Sequence, residues 1–444
     1  MDKKNYFLSI TILGALFFIF GFVTWLNGTL IPFLQTACEL TPFQASLVTL
    51  AFYISYFVMA LPSSFILKKT GYKKGMSIGL FVMAVGAAIF IPAAYSRTFL
   101  VFLTGLFVLG TGLSLLQTAV NPFITFIGDR ESAAARISIM GICNKIAGFI
   151  SPLILYSLIM NGMEKFSDEK LKLLTPEAKT QLLDELAARI VGPYTVMAIG
   201  LLLLAVLFLI IPFAKDISVE EEDASSIKDF LKQIPEAIKF PQLTLGVLAI
   251  FVYVGAEVMA GDSLTQFGKS LDLSYAGKLT SFTMAFMVVG YILGIVLIPK
   301  YLNQSKALRI SAMLGVVFTI LAITSSNTSA SIFESLFGWI NNISPAINIP
   351  LIPNSVFFIT TLGFANAIMW PAIWPLALHD VGKHTKIASA LLIMGIAGGA
   401  IIPPFYAKLG QEIGFQTALW IIVPIYLYLF YYAAKGFTLR RSKL

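Results

Sequence analysis

Apolar blocks of about 20 residues recur along nearly the whole chain, broken by short charged turns, and they limit its possible folds more than any other feature. In hydrocarbon a segment must pair its own backbone N–H and C=O groups, so such blocks read as helices crossing a bilayer. With 57% hydrophobic and 12% charged residues, the 444-residue chain has about half the charge of an average soluble domain. It reads as an all-α polytopic membrane protein. Set against turn signals, the blocks give twelve transmembrane helices: 6–34, 43–67, 75–94, 99–127, 136–160, 192–213, 243–267, 279–299, 310–324, 355–378, 387–409 and 417–434.

The basic residues set an orientation. With the N-terminus in the cytoplasm, about 21 of the 31 lysines and arginines fall on the inner side, so both termini are expected there. The net charge of +8 therefore reports topology and not a nucleic-acid partner. Asp2-Lys3-Lys4 leads directly into the first span, with no small-residue cleavage site. Cys38 and Cys143 read as small packing residues, and with only His379 and His384 besides they make no metal-ligand set, so neither metal nor cofactor is expected.

Two polar stretches interrupt the pattern. Residues 161–191 form an insert on the outer face, with a surface helix over 176–190 that places Leu182, Leu183, Leu186 and Ile190 at helical spacing. Residues 215–240 carry the acid run Glu220-Glu221-Glu222-Asp223 and divide the chain nearly in half as a solvated cytoplasmic linker. The expected domains are a six-helix bundle over 1–214, the linker, and a second bundle over 241–444. Asn121-Pro122, a polar turn and Ile139-Met140-Gly141 are echoed by Trp370-Pro371, a polar turn and Ile393-Met394-Gly395. Each copy meets a proline further on, Pro152 or Pro403. Duplicated halves with a solute site at their interface are a secondary-transporter architecture.

Polar side chains inside the spans point to that site. A lysine at mid-span costs about 2.5–3.5 kcal/mol on insertion scales, so Lys145 is expected to face a polar, water-filled path. Glu257 in the seventh span is its counterpart, with Asp262 one turn further on. One charge in each half could pair across the path and break during alternating access, or lock the helices permanently. Gln117 and Asn121 are four residues apart on one helix face, and amides suit hydroxyl groups as both donors and acceptors. Asn366, Trp370 and Trp374 repeat the spacing in the tenth span, and Trp25 and Asn27 add to it from the first. Amides beside indole faces suit a sugar, its hydroxyls on the polar groups and its apolar face on a ring. Indoles near span ends also serve as interfacial anchors, the reading preferred for Trp420.

The turn Leu67-Lys68-Lys69-Thr70-Gly71-Tyr72-Lys73-Lys74-Gly75 resembles the loop signature of the major facilitator superfamily, although Pro62-Ser63-Ser64 stands where an acidic residue is usual. Leu116-Gln117-Thr118-Ala119-Val120-Asn121-Pro122, the run from Gly21 to Pro32, Phe43-Gln44-Ala45-Ser46-Leu47 and Tyr253-Val254-Gly255-Ala256-Glu257 resemble the bacterial fucose and glucose/galactose permeases, the fucose–hexose symporter branch. The Gln-Thr-Ala-X-Asn-Pro form is that of the glucose/galactose subgroup, and the likeness spans everything but the two inserts. It implies the major facilitator fold of two pseudo-symmetric bundles, alternating access, and cation-coupled hexose uptake across the bacterial inner membrane. In the fucose permeases the proton-linked carboxylates lie in helices one and four, and the matching positions here are Gly28 and Gln117, which cannot titrate. Asn144 matches a family asparagine, whereas Lys145 replaces a small serine. Glu257 is then the remaining candidate for sodium or proton coupling, with Lys145 as its internal positive charge.

The expected substrate-binding set is Trp25, Asn27, Gln117, Asn121, Asn144, Asn366 and Trp370, with Lys145 and Glu257 as the coupling pair. The expected partners are a small sugar, a coupling cation and the lipid bilayer, and the chain is expected to act as a monomer. An uncoupled hexose facilitator, or a carrier of fucose or an N-acetylated hexosamine, is the alternative. A non-transporting sugar sensor would need an output domain, and an enzyme a nucleophile–base set or phosphate loop; the sequence shows neither.

Overall fold

The computed structural model describes residues 3–126, 133–166, 168–210, 232–298, 300–343 and 349–439. Among them are twelve helices long and apolar enough to cross a membrane. They are α1 (Ser9–Ala37), α2 (Pro42–Leu67), α3 (Lys69–Ser96), α4 (Phe99–Phe126), α5 (Arg136–Ile159) and α6 (Val191–Ile210). The second set is α7 (Pro241–Ser270), α8 (Ala276–Leu297), α9 (Gln304–Thr324), α10 (Asn354–Leu378), α11 (Ile387–Ile413) and α12 (Phe415–Thr438). The end where α6 stops and α7 begins is the linker end; the other is the far end. Of the expected linker, only the part from residue 232 is described, and it holds a short helix, Ile234–Ile238.

Local chemistry sets the helix ends. Thr41 caps α2 in a reciprocal capping box with Gln44, and Pro42 takes the first turn, where its missing N–H leaves no bond unmade. Two residues into α3 a single residue, Gly71 at φ 73°, makes the turn, a conformation glycine adopts freely. Because one glycine suffices, helical backbone runs on both sides of it and not only from 75, and the basic run lies on helix ends instead of in a loop. Similarly Asn303 caps α9 through Lys306 N–H, so that helix begins at Gln304 and not at 310. Long basic side chains there reach water while their stems cover apolar surface.

Within the first half α1 packs on α5, α2 and α3 on α4, and α3 on α6, where Ser77 donates to the Ala205 carbonyl. In the second half α7 packs on α11 and α12, α8 on α10, and α9 on α10 and α12. The halves meet chiefly as α2 against α11 and α5 against α8. Adding six to each number turns one of these contacts into the other, as two related bundles require.

Helical regularity fails at the depth of the expected site. α1 tightens at Leu26, whose carbonyl accepts from Thr29 N–H, ahead of Pro32. Residues Met259–Ser263 of α7 form a π-turn, and α10 breaks between Asn366 and Met369. At the far end the helix Pro176–Ala188 buries Leu183 and Leu186, with Ile190 just beyond, and is strapped down by Lys179–Glu39 and Arg97–Asp184. The amphipathic helix Ser331–Ile343 sets Phe333 and Phe337 against Phe357, and it was not anticipated. Its Ile332-Phe333-x-x-Leu336-Phe337 spacing carries the signal.

Candidate functional site between the two halves

Two opposite charges from different halves meet at mid-depth. Lys145 of α5 donates to Glu257 Oε1 of α7 across 2.6 Å, each residue 7% exposed. The Lys145 ammonium also lies 4.3 Å from the centroid of the Trp25 ring, a cation–π contact that substitutes for part of its lost hydration. Such a pair adds little net stability, because desolvation offsets most of the attraction, but removing either partner strands the other. It can therefore act as a clasp between halves.

Trp25 is set by glycines. A Cβ on Gly148 would lie 2.5 Å from its Cδ1, and one on Gly261 2.6 Å from its Cζ3, so only glycine lets α5 and α7 close on the indole. The Trp25 N–H donates to Asn144 Oδ1 at 3.4 Å, and the Asn144 amide donates to the Phe17 carbonyl at 3.4 Å. Gln117 of α4 donates to the hydroxyl of Tyr56 at 3.2 Å. Tyr56 stacks on Tyr53 at 6.3 Å, and Tyr53 abuts Gly399 of α11. Tyr53 in turn lies within electrostatic reach of both Glu257 and Asp262. Asn366 is fully buried and accepts from the Tyr426 hydroxyl at 2.9 Å, and Tyr426 in turn feels Glu257.

Trp25, Asn144, Lys145 and Glu257 thus form one contact cluster, and Gln117 and Asn366 join it through tyrosines. Asn27 is buried on α1 with its amide nitrogen free of hydrogen bonds. The side chain of Asn121 lies outside the described part of the structure. Trp370 is half-buried and stacks on Trp374 at 5.3 Å, packing against the apolar core. The sequence reading missed Tyr53, Tyr56 and Tyr426. Tyr53 and Tyr56 stand three residues apart, which places them on one face of α2. A solvent-open groove along Pro176, Thr180 and Asp184 lies on the far-end surface helix, remote from these residues.

At the far end further bonds join the halves. Gln266 donates to the Pro42 carbonyl at 2.7 Å, Lys269 to Thr36 Oγ1 at 2.9 Å, and Thr29 to the Gly277 carbonyl at 2.9 Å. Tyr156 donates to the Ser274 carbonyl at 2.5 Å, and Lys278 caps the Tyr156 ring at 4.6 Å. That end is shut.

The sequence model of the Major Facilitator Superfamily matches residues 13–402. A "Glucose/galactose transporter" of Brucella abortus is 30% identical over 440 residues, covering 98% of this chain and 95% of that protein. The "L-fucose-proton symporter" of Escherichia coli is 27% identical over 417 residues, 93% of this chain and 89% of the symporter. In three dimensions the chain is similar to FucP, a Major Facilitator Superfamily transporter solved in the outward conformation, with a TM-score of 0.74 at 27% identity, covering 99% of this chain and 100% of FucP.

Proposed function

Since the chain belongs to the Major Facilitator Superfamily and is a multi-pass sugar transporter, not an enzyme, we propose that it takes up a hexose of the glucose/galactose type, coupled to a cation. The observation that carries this reading is the clasp of Lys145, Glu257, Trp25 and Asn144, buried at mid-depth and built from both halves. An indole with amides beside it fits a pyranose, and an ion pair divided between moving halves fits alternating access. Trp25, Asn27, Gln117, Asn121, Asn144, Asn366 and Trp370 are the proposed sugar contacts.

The proposed division is a bundle over 1–214, a linker over 215–240 and a bundle over 241–444. Lysine and arginine placement supports both termini in the cytoplasm of a bacterial cell, and the shut far end is then the outer gate. Sugar then leaves toward the linker end, and opening of the Lys269–Thr36 and Gln266–Pro42 contacts admits the next molecule. The chain is proposed to work as a monomer. An uncoupled facilitator is the second reading, favoured by the closed 2.6 Å ion pair if that pair never opens.

The test is a sugar panel on purified protein, scored by thermal shift and then by uptake into proteoliposomes. A ligand at about 100 times its Kd stabilises the native state by about 2.7 kcal/mol. D-glucose or D-galactose should raise the melting temperature and be transported. Shifts with L-fucose or N-acetylglucosamine alone would reassign the substrate, and no shift and no uptake with any sugar would overturn the reading.

A further inference from the structure

Asp262 lies five residues beyond Glu257 on α7 and is fully buried, and neither carboxylate oxygen makes a hydrogen bond of acceptable geometry. It stands in the π-turn Met259–Ser263. A π-turn draws backbone groups away from their usual helical partners, and such turns concentrate at functional positions. Here Thr280 and Thr283 of α8 donate to the carbonyls of Gly261 (3.0 Å) and Ala260 (2.7 Å), and Thr265 donates to the carbonyl of Asp262 itself (2.6 Å). These three threonine hydroxyls are thus committed to holding the turn. The acid side chain is left bare.

The other half closes over it. A Cβ on Gly28 of α1 would lie 1.9 Å from Thr280 Oγ1 and 3.3 Å from Asp262 Oδ1, and the Gly28 N–H faces the carboxylate without reaching hydrogen-bond geometry. The charged groups acting on Asp262 are Lys145 of α5 and Glu257 of α7, and Tyr53 of α2 also lies within electrostatic reach of it. Lys145 is already bonded to Glu257. Two carboxylates share one ammonium, so full ionisation would leave a net negative charge among buried side chains. A buried charge of that kind is not left unmet. Gly28 and Thr280 press too closely to admit a metal ion with a shell of oxygens, so the fitting ligand is a proton.

We propose that Asp262 is the proton carrier of this transporter, an assignment that rests on the coupled-transport reading above. With the far end open, water reaches the carboxylate and a proton from that side binds one of its oxygens. The neutral acid lets Gly28 and Thr280 close against it, as in this structure. When the linker end opens, the same proton leaves to water there and the carboxylate is restored. An ionised Asp262 resists closure over Gly28, which ties each inward step to one proton. Glu257 stays with Lys145 and works the clasp.

The experiment uses full-length protein in proteoliposomes with tritiated D-glucose and D-galactose. An inward gradient of one pH unit sustains about a tenfold sugar accumulation at one proton per sugar. Wild type should reach it, whereas Asp262→Asn should still exchange sugar between equal pools and accumulate to a ratio of about one, with exchange no longer varying with pH. Asp262→Asn accumulating sugar like wild type on a proton gradient would overturn the proposal, as would wild-type accumulation that follows sodium alone. Because the variant could misfold, wild type is also treated with dicyclohexylcarbodiimide, which adds to protonated carboxyls in apolar sites. Mass spectrometry should find the adduct on Asp262 at low pH and lose it as pH rises; an adduct on Glu257 alone, or none, overturns the assignment. Wild type that exchanges neither sugar strikes the transport reading instead, and the Asp262 adduct remains readable.

Discussion

Lys145→Met removes the ammonium and keeps an apolar side chain of similar length in the slot against Trp25. At 2.6 Å and an effective dielectric of about 20, the attraction lost is about 6 kcal/mol. Desolvating each ion costs several kcal/mol, so the intact pair nets close to zero against a neutral pair, whereas stranding one buried partner costs about 3–5 kcal/mol. The single change should therefore destabilise by that amount, since among the described residues Lys145 is the cation paired with Glu257. Glu257→Gln should cost less, because the amide oxygen still accepts from Lys145 and Trp25 still covers the ammonium. The double variant should recover most of the loss. A double-mutant cycle measured by denaturant-driven unfolding in mixed micelles reads the coupling directly, and about 3 kcal/mol or more of non-additivity is expected. If the double variant loses the simple sum of the two singles, the pair is not formed in the stable state and the clasp argument fails.

Further outcomes follow from single contacts. Gln117→Ala and Asn144→Ala should each abolish sugar uptake while leaving the amount of protein in the membrane intact; normal uptake in both would misplace the pocket. Gly28→Ala forces a methyl to within 1.9 Å of Thr280 Oγ1, an overpacking worth about 1–3 kcal/mol charged only to the state with the far end shut. Uptake rate should drop, with partial rescue by Thr280→Ala, and an unaffected rate would show that the two helices need not meet. Burial raises the Cys38 thiol to about 11, so maleimide labelling should be slow at neutral pH. The rate should grow about tenfold per pH unit between pH 7 and 9, because the thiolate fraction does; a flat profile would contradict that burial.

The spans were legible because one term dominates: twelve apolar blocks have nowhere to go but across a bilayer, and their length alone sets the count. The clasp was legible for a related reason. A lysine and a glutamate are so costly inside such blocks that each predicts the other. The ends were less legible where a single residue decides, as at Gly71, whose positive φ turns the chain without a loop. Trp370 and Trp374 show where residue type does not decide, since an indole pair serves a pocket or a core equally well and the sequence has no term to choose. Asp262 was passed over beside Glu257 because sequence spacing cannot show a π-turn. Five residues on a regular helix would set the two acids on different faces; the extra residue in the turn brings Asp262 back toward the face of Glu257, beside Gly28 of α1.

Placing the two halves side by side explains why a transporter built from related bundles need not behave symmetrically. α1 and α7 are counterparts, and both lose helical regularity at the same depth, at Leu26 and at Met259–Ser263. Into that break α1 brings Trp25, Asn27 and Gly28, while α7 brings Glu257 and Asp262. The cation comes from α5, in the first half. One half therefore supplies a ring, amides and positive charge, and the other supplies both acids. Opposite charges draw the halves together, and a glycine at the nearest approach lets them touch. Two acids against one base make the attraction incomplete, and a single proton completes it. On this arrangement the polar chemistry sets when the gate may shut, and the apolar packing of α2 on α11 and α5 on α8 sets the path it follows.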